Sequence, residues 1–297
     1  MKSLGRLSYT CPQLLVLGRS FSGVGKKLVL TSGDFLSPVV LSNSEDVSCG
    51  LLASHLAAAG CTSGRVLLWS LHPRHLDTVG ECRVLGGGEA GVQLQLLGDS
   101  LYILTRSGRV TVLNLVFGNI VKQVQSAEII IIMTSMLCQI SAPASCRLVT
   151  MAVCPGLLAA ATPSKAALVW SLAEGRVATT LQLRHVAACL QLARPLLVTG
   201  GGETVQVWQL RTAQLLHTLD TRGAQLSCLG TWRGVLVAGD VRGHVITWDL
   251  ETRGRGTGSA EPRVLAQLAD AVRGLHLTED SLTALSFDAH CLIWDFW

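Results

Sequence analysis

An all-β propeller built from repeated four-stranded units is the fold class this sequence predicts, on three observations. Six strand-like runs close on a bulky apolar residue, then one small or polar residue, then Leu or Phe. They are Val66-Leu67-Leu68-Trp69-Ser70-Leu71, Val110-Thr111-Val112-Leu113-Asn114-Leu115, Ala167-Leu168-Val169-Trp170-Ser171-Leu172, Val205-Gln206-Val207-Trp208-Gln209-Leu210, Val245-Ile246-Thr247-Trp248-Asp249-Leu250 and Cys291-Leu292-Ile293-Trp294-Asp295-Phe296. The closing residues lie 44, 57, 38, 40 and 46 positions apart, the length of a repeat that folds as one propeller blade. Between them run short Val-, Leu- and Ile-rich strands with Gly-bearing turns and no amphipathic helix, which excludes parallel βαβ architectures.

Taken in chain order, residues 14–17, 27–31 and 38–42 read as three strands. Residues 1–46 then form an incomplete seventh blade or supply the strand that closes the ring, and residues 47–297 hold six four-stranded blades, all within one domain, 1–297. The chain ends just after a third strand, so the N-terminal strands are expected to complete the last blade; an open ring leaves two exposed edges. The clearest repeat has strands at 226–229, 235–238 and 244–248, with turns at 231–234 and 241–243 and an outward turn at 251–252. Outer strands are expected at 82–85, 120–124, 177–181, 215–219 and 264–268. Residues 127–146 do not fit the pattern and read as an irregular insertion, which accounts for the gap of 57. Its four successive isoleucines make a binding loop or an aggregation-prone segment.

Composition narrows the class. A chain 49% hydrophobic and 15% charged is too apolar for disorder and suits strands buried between neighbours. The net charge of +4 argues only weakly for nucleic acid or an anionic membrane. The most apolar run, residues 129–133, falls far short of the roughly 18 residues of a membrane helix, so no membrane association is expected. Lys2 and Arg6 precede only the short apolar run 14–17, too little for a secretory signal, so a cytoplasmic or nuclear location with the ten cysteines reduced is expected. No C-x-x-C pair occurs, and the cysteines read as small buried hydrophobes.

Catalytic motifs fail on inspection. Gly86-x-Gly88-x-x-Gly91 matches a dinucleotide fingerprint by letters, but the alternating run after it is a strand where a phosphate needs a helix N-terminus. In Ser22-Gly23-Val24-Gly25-Lys26-Lys27, Ser20 stands where a phosphate loop needs Gly, and Lys27 where it needs a hydroxyl. There is no G-x-S-x-G elbow and no metal-spaced His pair. His55, His185, His217, His244, His276 and His290 lie in or beside strands and read as structural or surface groups. No catalytic, cofactor-binding or metal-binding residue is assigned.

Trp248-Asp249-Leu250 and Trp294-Asp295-Phe296 carry the dipeptide that names the WD40 repeat, and Trp69-Ser70, Trp170-Ser171 and Trp208-Gln209 look like relaxed forms of it. Over residues 47–297 the chain thus resembles the WD40-repeat β-propeller family. WD40 repeats usually hold an Asp six residues before the Trp and a Gly-His pair before the first strand, which together brace the Trp. Here that position carries Ser63, Ser107, Ser164, Gly202, Arg242 and Asp288, and no Gly-His pair precedes a first strand. The resemblance therefore implies a divergent propeller whose blades rely on packing, with Trp69, Trp170, Trp208, Trp248, Trp294 and Asp288 as its structural residues. Loss of the Trp208 or Trp248 ring should cost roughly 3 to 5 kcal/mol through lost burial and cavity formation.

By the same resemblance, partners bind where the turns between second and third strands open. Those turns carry Arg65, Arg106, Arg109, Lys165 and Arg242 against Glu203, Asp240 and Asp288. Arginines that converge can grip a carboxylate or phosphate in a bidentate fork. The family likeness implies a non-catalytic protein-protein interaction scaffold within a multiprotein complex, binding acidic or phosphorylated peptides or proteins on its top face. Two narrower readings stand beside it. One is the substrate-recognition subunit of a ubiquitin ligase, similar to F-box WD proteins, although no F-box segment occurs in these residues. The other is a scaffold in RNA processing or ribosome assembly, and no basic stripe with interleaved aromatics supports direct contact with nucleic acid. An enzyme would need acidic or His residues clustered at inner strand ends.

Overall fold

The computed structural model describes residues 14–18, 27–31, 39–41, 47–52, 56–72, 75–83, 91–115, 136–140, 147–250, 261–277, 281–286 and 291–295. The chain divides into two compact units, residues 1–145 and 146–297. In the first, β1 (Leu14–Gly18), β2 (Lys27–Thr31) and β3 (Val39–Leu41) form one antiparallel sheet. β4 (Val47–Leu52), β5 (Leu56–Cys61), β6 (Arg65–His72) and β7 (His75–Arg83) form a second, and β8 (Gly91–Leu97), β9 (Ser100–Thr105), β10 (Val110–Asn114) and β11 (Met136–Ile140) a third. In the second unit, β12 (Thr150–Cys154), β13 (Leu157–Ala161), β14 (Ala166–Ser171) and β15 (Arg176–Gln182) are followed by β16 (Cys189–Ala193), β17 (Leu196–Gly201), β18 (Thr204–Gln209) and β19 (Gln214–Asp220). Then come β20 (Leu226–Trp232), β21 (Val235–Asp240), β22 (His244–Asp249) and β23 (Arg263–Gln267), and finally β24 (Val272–Leu277), β25 (Ser281–Ser286) and β26 (Cys291–Asp295). Every sheet is a meander in chain order, and among the described residues there is no helix that could cross a membrane. The all-β, propeller-like repeat expected from the sequence is thus present at the level of the sheet.

The six closing residues occupy matching places. Trp69, Leu113, Trp170, Trp208, Trp248 and Trp294 stand opposite Ala57, Leu101, Leu158, Leu197, Leu236 and Leu282, in every case the second residue of the second strand. In four sheets the pairing of third and fourth strands slips just before the closing residue, at Leu68/Trp69, Val112/Leu113, Val169/Trp170 and Val207/Trp208. A bulge at a fixed position adds twist at the same place in each sheet.

Burial follows strand position. β13 and β17 are buried along nearly their whole length, whereas β15 and β19 alternate between exposed and half-buried residues, the mark of an outer edge. The cores lie between consecutive sheets. Val169 and Leu181 pack with Leu190, Leu197 and Trp208 of the next sheet; Val198 and Val207 pack with Leu229, Leu236 and Trp248 of the one after. Trp208 and Trp248 therefore face the preceding sheet, as does Leu113, which packs with Ala58, Val66 and Leu68. Trp294 packs, half-buried, against Val237 and Val245.

Several expectations are corrected. The outer strand placed at 82–85 begins earlier, at His75, because the hairpin from β6 turns at once and continues its register down to Arg65↔Arg83. The segment 120–124 lies outside the described residues, and the fourth place in its sheet is taken by Met136–Ile140, from within the stretch read as an insertion. The first strand of the clearest repeat runs on to Trp232, so its turn tightens to Arg233 and Gly234, both with positive φ. Among the described residues the N-terminal strands pair with one another in a three-stranded sheet, as an incomplete further blade would, and of the six sheets that follow five carry four strands and the last carries three.

Candidate partner-binding cleft

In an antiparallel meander the turn between strands two and three shares one end of the sheet with the link from strand four to the next sheet. In the second unit these connections enclose a cleft of about 610 Å³. His185 comes from the β15–β16 link, Gly202, Glu203 and Thr204 from the β17–β18 hairpin, Gly223 and Gln225 from the β19–β20 link, and Val241 and Arg242 from the β21–β22 turn.

Backbone contacts determine how closely these pieces approach. A Cβ on Gly201 would collide with the Val186 carbonyl, and one on Gly202, whose φ is +59°, would sit 2.9 Å from the His185 ring. Only glycine lets the link press the imidazole onto the hairpin. The same link is held by the Arg184 amide donating to buried Gln206 Oε1 at 3.1 Å and the Ala188 amide donating to Gly200 O at 2.8 Å. Further along, the Thr221 amide donates to Glu203 O at 3.0 Å and the Val241 amide to Gln225 O at 2.9 Å, tying three successive connections together.

Asp240 sets the turn that carries Arg242. Its carboxylate is fully buried and accepts the Arg242 amide at 2.9 Å and the His244 amide at 2.7 Å, with His244 Nδ1 at 2.8 Å. Removing an acceptor that satisfies this many donors costs about 1 to 3 kcal/mol. Thr105 and Thr162 hold the equivalent place, accepting the Arg109 amide at 3.2 Å and the Ala166 amide at 3.3 Å. All three stand eight residues before a closing residue, two positions earlier than the Asp of WD40 repeats, so these turns do carry a polar brace. Trp208 and Trp248 are not part of it: their indole N–H groups are buried and meet no acceptor.

Of the basic residues singled out in the sequence, Arg242 lines the cleft and is exposed. Lys165 is exposed at a φ of +60°, where Gly64, Gly108 and Gly243 stand in sister turns, and it does not line the cleft. Arg106 and Arg109 are exposed on the β9–β10 turn of the first unit, and Arg65 is half-buried at the start of β6. Asp288 lies outside the described residues. Asp240, counted in the sequence among acids facing a partner, points into the protein instead. Glu203 and His185 complete the ionisable lining. Residues equipped in this way can pair with charged groups and present bare backbone at Gly202 and Gly223. Among the described residues no three His, Cys, Asp or Glu side chains group in a way that could hold a metal ion.

No protein-family model matches the sequence, and no curated protein matches it either. Solved structures do share its fold. A chain in the crystal structure of a mitotic checkpoint complex is 14% identical, with a TM-score of 0.71 over 100% of this chain and 95% of the other. The computationally designed Ika8 protein is 15% identical, with a TM-score of 0.63 over 91% of this chain and 80% of that one. At such identities the likeness concerns the fold alone.

Proposed function

We propose that the seven sheets are blades of a divergent WD40-like propeller acting as a non-catalytic interaction scaffold, and that the cleft of the second unit receives a segment of a protein partner. The observation that carries this reading is Arg242, an exposed cation at the lip of the cleft on a turn whose backbone amide is held by the fully buried Asp240. The anchored turn keeps the Arg242 backbone beside the cleft, and its exposed guanidinium is placed to pair with a carboxylate or phosphate. The fold neighbour within a mitotic checkpoint complex adds support for a role inside an assembly. Substrate recognition for a ubiquitin ligase and scaffolding in RNA processing or ribosome assembly are the narrower forms of this role.

Affinity purification of the tagged chain with quantitative mass spectrometry tests it. Arg242→Glu should lower recovery of the principal partner roughly 10- to 100-fold, as expected for loss of a charge-assisted contact plus repulsion. Retention of every partner by that variant, and by its combination with Arg106→Glu, rejects the basic-turn reading. Ligase subunits or ribosomal proteins among the partners lost would choose between the narrower forms.

A further inference from the structure

We propose a second docking groove, at the opposite end of the β16–β19 sheet from the cleft, that takes a short acidic peptide segment carrying a bulky apolar side chain. A hollow of about 310 Å³ lies where the β16–β17 turn and the β18–β19 turn meet the neighbouring sheet. Leu157, Val169 and Ala178 of that neighbouring sheet form its floor together with Leu210, and Arg194 and Arg211 stand on its rim. The volume is at the lower end for pockets that hold ligands, the size of one or two large side chains.

The two turns are locked together by the Leu210 amide, which donates to Pro195 O at 3.0 Å. Arg194 reaches back over the neighbouring sheet, so that a Cβ on Gly156 would lie 3.0 Å from its Nη2. Both rim arginines are exposed, and neither guanidinium has an acidic partner among the described residues. The carboxylate at this end of the neighbouring sheet, Glu174, is already taken by Arg176 Nε at 2.8 Å. An apolar floor under two unneutralised cations fits a hydrophobic side chain flanked by carboxylates, and repels a basic segment. Strands of this length separate the groove from the cleft by roughly 15 Å, so both sites can be filled together.

Random short peptides displayed on phage and selected on the full chain test this, with the winners synthesised and measured by fluorescence anisotropy. The expected winners place Leu, Ile, Phe or Met beside Asp or Glu. Their affinity should fall at least roughly tenfold on Arg194→Glu with Arg211→Glu, and on Ala178→Glu, and should be unchanged on Arg242→Glu. The milder pair Arg194→Gln with Arg211→Gln guards against misfolding and should give the same direction with an unaltered melting temperature. Winners without acidic residues, winners indifferent to the groove variants, or winners lost only on Arg242→Glu overturn the proposal. So does wild-type self-association that the charge reversals abolish, since the occupant would then be a second copy of this chain.

Discussion

Cys49, Cys189 and Cys228 each pair across strands with a glycine, Gly60, Gly200 and Gly239. In each pair the sulfur fills the space a glycine Cβ would need, at 2.7, 2.8 and 2.7 Å. The sequence reading of cysteine as a small buried hydrophobe thus gains a specific reason, because a larger residue on either strand would force the hairpin apart. Burial has an acid-base consequence. It pushes the Cys228 thiol up to about 11, with the Asp240 charge adding a little and the Ser227 hydrogen bond opposing, and it holds the Cys189 thiol higher still. Below about pH 8 both folded and unfolded thiols keep their protons, so neither contributes any pH dependence. From about pH 8 to 11 the unfolded chain ionises at Cys228 while the folded chain largely does not, so stability falls as pH rises and the Cys228 contribution levels off above that window. Urea midpoints across this range should drop more steeply for wild type than for Cys228→Ala, by a slope equivalent to about one proton. Parallel curves would mean that the thiol is reached by water.

Between residues and whole sheets, the fourth strand is the element that the sequence placed least well. Fourth strands such as β15 and β19 are half exposed, so their apolar pattern is weaker than that of the inner three, and an alternating stretch nearby can mislead. Met136–Ile140 sits in a segment that reads as an insertion, yet it pairs with β10 from Val110↔Ile140 to Leu113↔Met136, with the slip at Val112/Leu113 that sister sheets share. Its role is therefore a ladder of backbone hydrogen bonds and not a loop. Replacing Met136–Ile140 by alternating Gly and Ser keeps the chain length and removes the strand. If the segment is the fourth strand, melting should fall by about 5 °C or more, since each kcal/mol lost moves the midpoint of a chain this long by roughly 2 to 4 °C. A shift below about 1 °C would return the segment to loop status.

At the scale of the molecule, what could be foreseen was whatever repeats locally. Trp69 to Trp294 mark third strands because one bulky residue per repeat meets the second residue of the second strand, and that spacing is visible in the chain itself. Arg242 was foreseeable for the same reason, as a turn residue at a fixed distance from Trp248. The cleft was not, because its walls depend on Gly201 and Gly202 admitting a link that arrives from another sheet. Asp240 was half legible: its distance from Trp248 repeats in Thr105 and Thr162, but its inward aim follows from the turn geometry. The cores point to how stability is distributed. Each core joins one sheet to the next, and Ser227 Oγ, which donates to Gly239 O at 3.0 Å and contacts Val272 O, ties β20 to β24 in the same nearest-neighbour manner. Stability in such a stack is a sum of unit and neighbour terms, so damage stays near its source. Trp248→Ala empties the core shared by the β16–β19 and β20–β23 sheets and should cost roughly 3 to 5 kcal/mol there. Amide exchange followed by mass spectrometry should then accelerate about a hundredfold or more in peptides spanning residues 189–250, and little in peptides from 47–115. Equal acceleration in both would show that the sheets unfold as one body, and the nearest-neighbour account of this chain would have to be given up.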